Sequence, residues 1–391
     1  MGRGSFIVEQ IDTFGNVVMD YDQTLSPMEL KRYLAYLFHA DVTNVIKGVY
    51  GGRRYVIYAK NVTYLGNPHP EYKKRIQLGS DMLEVYKEHK AQGEEMIILG
   101  VYHYFENYIL VDFDIEQYVQ NKSHNSSAHV YVEDLQKAVL NGIATKIDYR
   151  DNKITAFRPD YVNDFLEDKL GEHKVWTPVD ATIECLSEYF RGLPKYWHGV
   201  DCYREMINKD FSKKFWGEWQ AAYSEMKLQE YIENDNYVQD YMVMYQDRSE
   251  GGIDLDIYYP ELRTYGDLKM HSENSGAIPG NKYETLLNLI QDHNLYYAIG
   301  SHNTIKDSER DFEVCKFINP IKGKQLLSYA QRMKNSIELK EFMILEINRF
   351  NYQYLASFQK DFKNSDGKPR TEKFMINKKD IERFTIYKEK L

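Results

Sequence analysis

The sequence predicts an α+β or α/β chain in two domains. Residues 1–170 form an N-terminal α+β domain, and residues 171–391 are built on a mixed central sheet flanked by helices. Three observations carry this expectation. At 391 residues the chain is longer than one hydrophobic core usually serves. Runs of β-branched and aromatic residues interleave with segments of helical apolar spacing, without an internal repeat or a low-complexity stretch. Between residues 160 and 177 Asp, Glu and Lys dominate before Trp176-Thr-Pro178, which places the boundary near residue 170.

Composition narrows the function classes. Hydrophobic residues at 43% and charged residues at 28% are the balance of a folded globular protein rather than a disordered one. No run of about eighteen apolar residues is present, so no membrane span is expected, and no apolar segment follows Met1 as a signal peptide would require. Three cysteines (Cys185, Cys202, Cys315) without a C-x-x-C argue against a disulfide framework or a zinc site and for a cytoplasmic protein. The net charge of −9 does not by itself point to nucleic acid. Its distribution is uneven, however, because residues 321–391 carry sixteen Lys and Arg against nine Asp and Glu. A local basic surface matters more for phosphate contact than the total.

In the first domain, Phe6 to Asp12 and Val17 to Asp22 read as strands about Phe14-Gly15-Asn16. Ser26-Pro-Met-Glu29 has the residues of a capping box and starts a helix whose apolar face is Leu30, Tyr33, Leu34 and Leu37. Gly51-Gly52 joins two further strands, Asn44 to Tyr50 and Arg54 to Tyr64. A helix is expected over Asp81 to Lys90, long β-rich runs over Glu95 to Tyr102 and Tyr104 to Ile115, and a helix over Val132 to Ala144. Asn67-Pro-His-Pro-Glu-Tyr-Lys-Lys-Arg75 reads as a stiffened loop presenting Tyr72, Lys73, Lys74 and Arg75. Such a loop suits phosphate contact or recognition of a guanine edge, and equally an ordinary basic surface loop.

In the second domain, helices are expected over Val179 to Arg191 and Phe211 to Asn234. The latter has Phe215, Trp219, Ala222, Tyr223 and Met226 on its apolar stripe and Glu225 beside it. Ile253, Leu255 and Ile257 then alternate with Asp254 and Asp256, so both carboxylates leave one face of a strand. Pro260 to Arg263 supplies a turn. In the returning strand Asp267, Lys269 and His271 share one face, opposite Leu268 and Met270. A flexible loop over Ser272 to Gly280, a helix over Asn281 to Asp292 and a strand over Asn294 to His302 follow. Just past that strand, His302 and Lys306 are placed to meet phosphate. The pattern continues with a helix over Gln325 to Asn348 and a basic, aromatic-dotted tail.

Two acids and a lysine at this spacing can hold Mg²⁺ and activate a water against a phosphodiester. Asp256, ten intervening residues and Asp267-Leu-Lys269, set in strand, turn, strand, helix, strand order, resemble the PD-(D/E)xK nuclease signature. Within that superfamily, Tyr-Gly-Asp-Leu-Lys-Met-His-Ser resembles type II restriction endonucleases, over about residues 210–305. One departure is Leu255, where the signature has Pro.

The resemblance implies a restriction-endonuclease-like core and a Mg²⁺-dependent, sequence-specific double-stranded DNA endonuclease leaving 5′-phosphates. It further implies Asp256 and Asp267 as metal ligands with the Leu268 carbonyl, Lys269 as the residue that orients water and stabilises the transition state, and Glu225 as an additional acid. Asp254 stays open as an alternative ligand to Asp256, since both share a face. A homodimer is expected, because a DNA palindrome is twofold symmetric, together with a cognate DNA methyltransferase in the cell. Two other readings stay open: a nuclease of the same superfamily in repair or recombination, and a non-catalytic nucleic-acid-binding protein. A motor or a serine hydrolase is disfavoured, since neither a G-x-x-x-x-G-K-[ST] loop nor a G-x-S-x-G elbow occurs.

Overall fold

A computed structural model describes residues 6–42, 45–120, 127–148, 152–171, 177–211, 219–245, 253–306, 335–359, 362–363, 367 and 369–391. The chain is α+β, with mixed sheets flanked by helices, and divides into two compact units, Met1–Val175 and Trp176–Leu391.

The first unit orders its sheet as Ile143–Ile147, Lys153–Phe157, Asn107–Phe113, Glu95–Tyr104, Arg53–Asn61, Ile46–Tyr50 and Asp41–Val42. Neighbours are antiparallel except Arg53–Asn61 and Glu95–Tyr104, which run parallel. Both faces of the central strands are buried. Val56, Tyr58, Met96 and Ile98 meet the Met82–Ala91 and Val132–Asn141 helices, while Tyr55, Ile57, Ile97 and Leu99 meet Pro27–Leu37 and Val162–Leu170. Ser26 caps its helix as the sequence requires: its side chain accepts from the Glu29 amide, and Glu29 accepts from the Ser26 amide at 2.8 Å. The polar stretch after residue 160 is more ordered than its composition suggests. Val162, Phe165, Leu166 and Leu170 are buried, with Phe165 stacked on Phe157 at 4.3 Å.

The second unit orders its sheet as Val243–Met244, Ile257–Tyr259, Thr264–Ser272, Leu295–Lys306, Asn335–Ile347 and Thr385–Lys390. Thr264–Ser272 and Leu295–Lys306 are parallel, as strands joined through a crossover helix must be, and Tyr283–Leu289 is that helix. The helix Trp219–Asn234 precedes the hairpin. Its Trp219, Ala222, Tyr223 and Met226 pack in one core with Trp197, Ile337 and Leu339. Among the described residues no helix is long and apolar enough to cross a membrane.

Several local expectations are corrected. Asp254 and Asp256 lie ahead of the first hairpin strand, which begins at Ile257. Of the helix expected over Phe211 to Asn234, Trp219–Asn234 is helical, and residues 212–218, with Phe215, lie outside the described residues. Part of the expected loop, Ala277–Lys282, is a strand paired with Lys373–Asn377. Of the helix expected over Gln325 to Asn348, residues 325–334 lie outside the described residues, and Asn335–Ile347 is a strand. Bonded on both sides, by Leu295–Lys306 and Thr385–Lys390, this strand buries both faces, so Phe342, Met343, Ile344 and Leu345 show no alternation. The basic tail is likewise built into the sheet. Phe374, Phe384, Ile386 and Tyr387 are buried, and Lys388 pairs with Glu341 at 3.3 Å.

Phe342 is fully buried and stacks on Phe190 of the Pro178–Gly192 helix at 4.6 Å. Phe342→Ala should therefore lower unfolding stability by about 3–5 kcal/mol, read from the urea midpoint at unchanged m-value. A loss below about 1 kcal/mol would mean that this strand is not central.

Candidate active site

The candidate site grows from the hairpin Ile257–Tyr259 and Thr264–Ser272. Its turn closes with the Arg263 amide donating to the Pro260 carbonyl at 3.1 Å, and Arg263 takes a left-handed φ of 51°. Register pairs Ile257 with Gly266 and Tyr259 with Thr264. One further step sets Asp256 opposite Asp267, and the Asp256 carbonyl accepts from the Tyr245 amide at 2.8 Å. Gly266 permits the close approach of the neighbouring strand, since a Cβ there would stand 2.0 Å from the Tyr296 carbonyl oxygen.

The electrostatics are those of charge gathered out of water. The Asp267 side chain is fully buried, and its polar contacts are the Lys269 ammonium and the Asp256 carboxyl. Lys269 Nζ meets Oδ2 as an ion pair at 2.5 Å, with the lysine side chain 26% exposed. Burial, and then Asp267 and Glu225, push the Asp256 carboxyl up to about 8, against the opposing pull of Lys269. Burial works against the Lys269 ammonium, but Asp267, followed by Asp256 and Glu225, outweighs it and raises its pKa. Glu225, half-buried on the Trp219–Asn234 helix, is thus close enough to act on both Asp256 and Lys269.

Asp254 is placed differently. Its Oδ2 accepts from the Lys282 amide at 3.1 Å and its carbonyl accepts from Asn281, tying it to the neighbouring strand rather than to the Lys269 ammonium. Leu268 lies between Asp267 and Lys269 with its side chain in the core. Sequence spacing did not single out Tyr297 and Asn281. Tyr297 is buried, donates to Asn281 at 3.2 Å and feels Asp267, Asp254 and Asp256. Only strand pairing, Asp267 with Tyr297, brings these residues together.

The other residues expected to meet phosphate lie in strands or in the core rather than in loops. His302 is not past the strand but inside Leu295–Lys306, and it is 5% exposed. Burial holds it down to about 4, so it is a neutral core residue beside His271, which burial, Lys378 and His302 also hold down to about 4. Lys306 ends the same strand, and its side chain lies outside the described part. In the first unit, Tyr72 belongs to the core and Lys73–Gln77 is a strand paired with Ser127–Tyr131, not a loop. Lys74 is fully buried against Asp22 at 2.7 Å and cannot reach phosphate. Lys73 lies over the Tyr131 ring, and Arg75 donates to Ser127 Oγ at 3.2 Å; both are half-buried.

The donor set suits a hard divalent cation. Two carboxylates face one another in a buried place with a single ammonium beside them, and a divalent cation would relieve their repulsion. Among the described residues no group of three or more His, Cys, Asp and Glu side chains stands as a metal centre, so a third ligand would come from backbone or water.

Comparison with known proteins places residues 53–166 as a match to the sequence model of a family described as methylase-associated X1, within the first unit and under a third of the chain. A search of curated proteins found no match, and a search of solved structures found none.

The sign of the Asp256 shift fixes a stability trend. A carboxyl raised from about 3.9 in the unfolded chain ionises at a cost to the folded state that is absent below pH 4 and complete above pH 8. In EDTA, Asp256→Asn should melt a few degrees above the native protein at pH 8, the two curves converging near pH 4. An Asn variant that is less stable at pH 8 would show that the two carboxylates do not repel.

Proposed function

We propose that the second unit is a Mg²⁺-dependent endonuclease acting on double-stranded DNA in a restriction–modification setting. The observation that carries this reading is the convergence of Asp256, just ahead of the first hairpin strand, and Asp267, on the second, with the Lys269 ammonium 2.5 Å from Asp267. The setting is supported by the methylase-associated description of the family matched at residues 53–166. A DNA methyltransferase is accordingly the proposed companion in the cell, and a homodimer the proposed active form on palindromic DNA.

Asp256 and Asp267 would hold the ion through carboxylate oxygens, with the Leu268 carbonyl completing the shell. When bound, Mg²⁺ neutralises charge on the scissile phosphate and supplies a water of lowered pKa. Lys269, kept protonated by the three acids around it, orients the attacking water and donates toward the non-bridging oxygens as negative charge develops. Glu225 adds negative charge to the same place, strengthening cation retention and the Lys269 ammonium. Cleavage on the 3′-oxygen side leaves 5′-phosphate ends.

Incubated with a panel of plasmids and Mg²⁺, the protein should give discrete bands, and EDTA should abolish them. Lys269→Ala and Asp267→Ala should each lower the rate by at least about a hundredfold at unchanged folding. A smear would favour a nonspecific or repair nuclease. No cleavage of any plasmid, or full cleavage by Lys269→Ala, would contradict the proposal.

A further inference from the structure

The first unit contains a cleft of about 500 Å³, a size typical of small-molecule sites. Its lining combines two cations, Lys60 and Arg75, with two aromatic rings, Phe6 and Tyr64, and the Gln77 amide. The one acid in the lining, Asp22, is already neutralised. Lys74 pairs with it at 2.7 Å, Gln10 donates to it at 2.9 Å and the Tyr64 amide donates at 2.6 Å. Lys60 and Arg75 are not neutralised. Neither has an ion-pair partner among the described residues: Lys60 Nζ lies over the Tyr58 ring at 4.9 Å, and Arg75 spends one hydrogen bond on Ser127. His129, paired with Arg75 across the strands, reports the same positive excess. Burial, then Lys73 and Arg75, hold it down to about 4.

The cleft therefore favours an anion, and its aromatic wall favours a flat ring beside that anion. Tyr64 is held rigid by bonds to Asn67 and His69, and Phe6 meets it edge-to-face at 5.7 Å while staying 46% exposed. This leaves the faces of the rings, not a gap between them, for stacking. Gln77, whose side chain lines the cleft, can meet the polar edge of a base.

We infer that this cleft binds one nucleoside phosphate unit, with the phosphate on Lys60 and Arg75 and the base against Phe6 and Tyr64. An intact duplex is too wide to enter, so the unit is either a free nucleotide or a nucleotide turned out of a DNA strand. The inference concerns a ligand of the first unit and goes beyond the nuclease reading of the second.

The full chain is titrated in EDTA, so that binding is read whatever the cleavage assay gives. The calorimetric probes are dAMP, ribose 5-phosphate and inorganic phosphate. A parallel arm follows the fluorescence of a DNA duplex carrying 2-aminopurine. The native protein should bind dAMP at least about tenfold more tightly than ribose 5-phosphate. Arg75→Ala and Lys60→Ala should each weaken dAMP about tenfold, while Phe6→Ala should bring dAMP to the level of ribose 5-phosphate. Two single-charge variants and one exposed aromatic variant, each checked for an unchanged melting curve, guard against a misfolded protein. Binding of dAMP alone identifies a free nucleotide as the ligand, and a fluorescence rise lost in Phe6→Ala identifies a nucleotide of the strand. No signal in either arm, or a signal that all three substitutions leave unchanged, overturns the inference.

Discussion

The candidate site rests on one unresolved repulsion. Asp256 and Asp267 face each other where Asp267 is shut off from water, and one ammonium, that of Lys269, cannot balance both together with Glu225. A buried carboxylate is costly unless its charge is met, and a second carboxylate beside it adds to that cost. The pair keeps a proton on Asp256 near neutral pH instead, and a divalent cation could replace that proton at a gain. The fold sustains this because it is stabilised elsewhere, by the apolar cores on either face of the sheet that carries the hairpin. Binding function is thus set against local stability, a common compromise at functional sites.

The hairpin was legible because local chemistry writes it. A Pro-to-Arg turn, alternation on the return strand and a following amphipathic helix are all short-range signals, and so is the Ser26 cap. Asp254 and Asp256 share a parity, so no local rule separates them. The Lys282 amide that occupies Asp254 stands 28 residues away in sequence. Tyr72 to Arg75 misleads for the opposite reason. Read with period two, Tyr72, Lys74 and Ile76 point inward and Lys73, Arg75 and Gln77 outward, but an inward lysine makes sense only with Asp22, 52 residues distant. His302 lies inside the strand because that strand runs to Lys306, longer than its apolar run. The Asn335–Ile347 strand hides its period by burying both faces.

Two separate lines bear on the same biological setting. The family match lies wholly in the first unit, whereas the acid and lysine cluster lies wholly in the second. Neither depends on the other, and the net charge of −9 is no obstacle, since a phosphate needs only a local basic surface. In the first unit that local surface is the cleft with Lys60 and Arg75, not the inward-facing Lys74.

The central claim is that the facing carboxylates form a cation site. Crystals grown in Mn²⁺, a scatterer with the oxygen preference of Mg²⁺, test it most directly through the anomalous difference map. The account predicts a peak about 2.2 Å from carboxylate oxygens of both Asp256 and Asp267, absent from Asp267→Asn crystals. No peak there at millimolar Mn²⁺, or one that persists in the Asn variant, would contradict it.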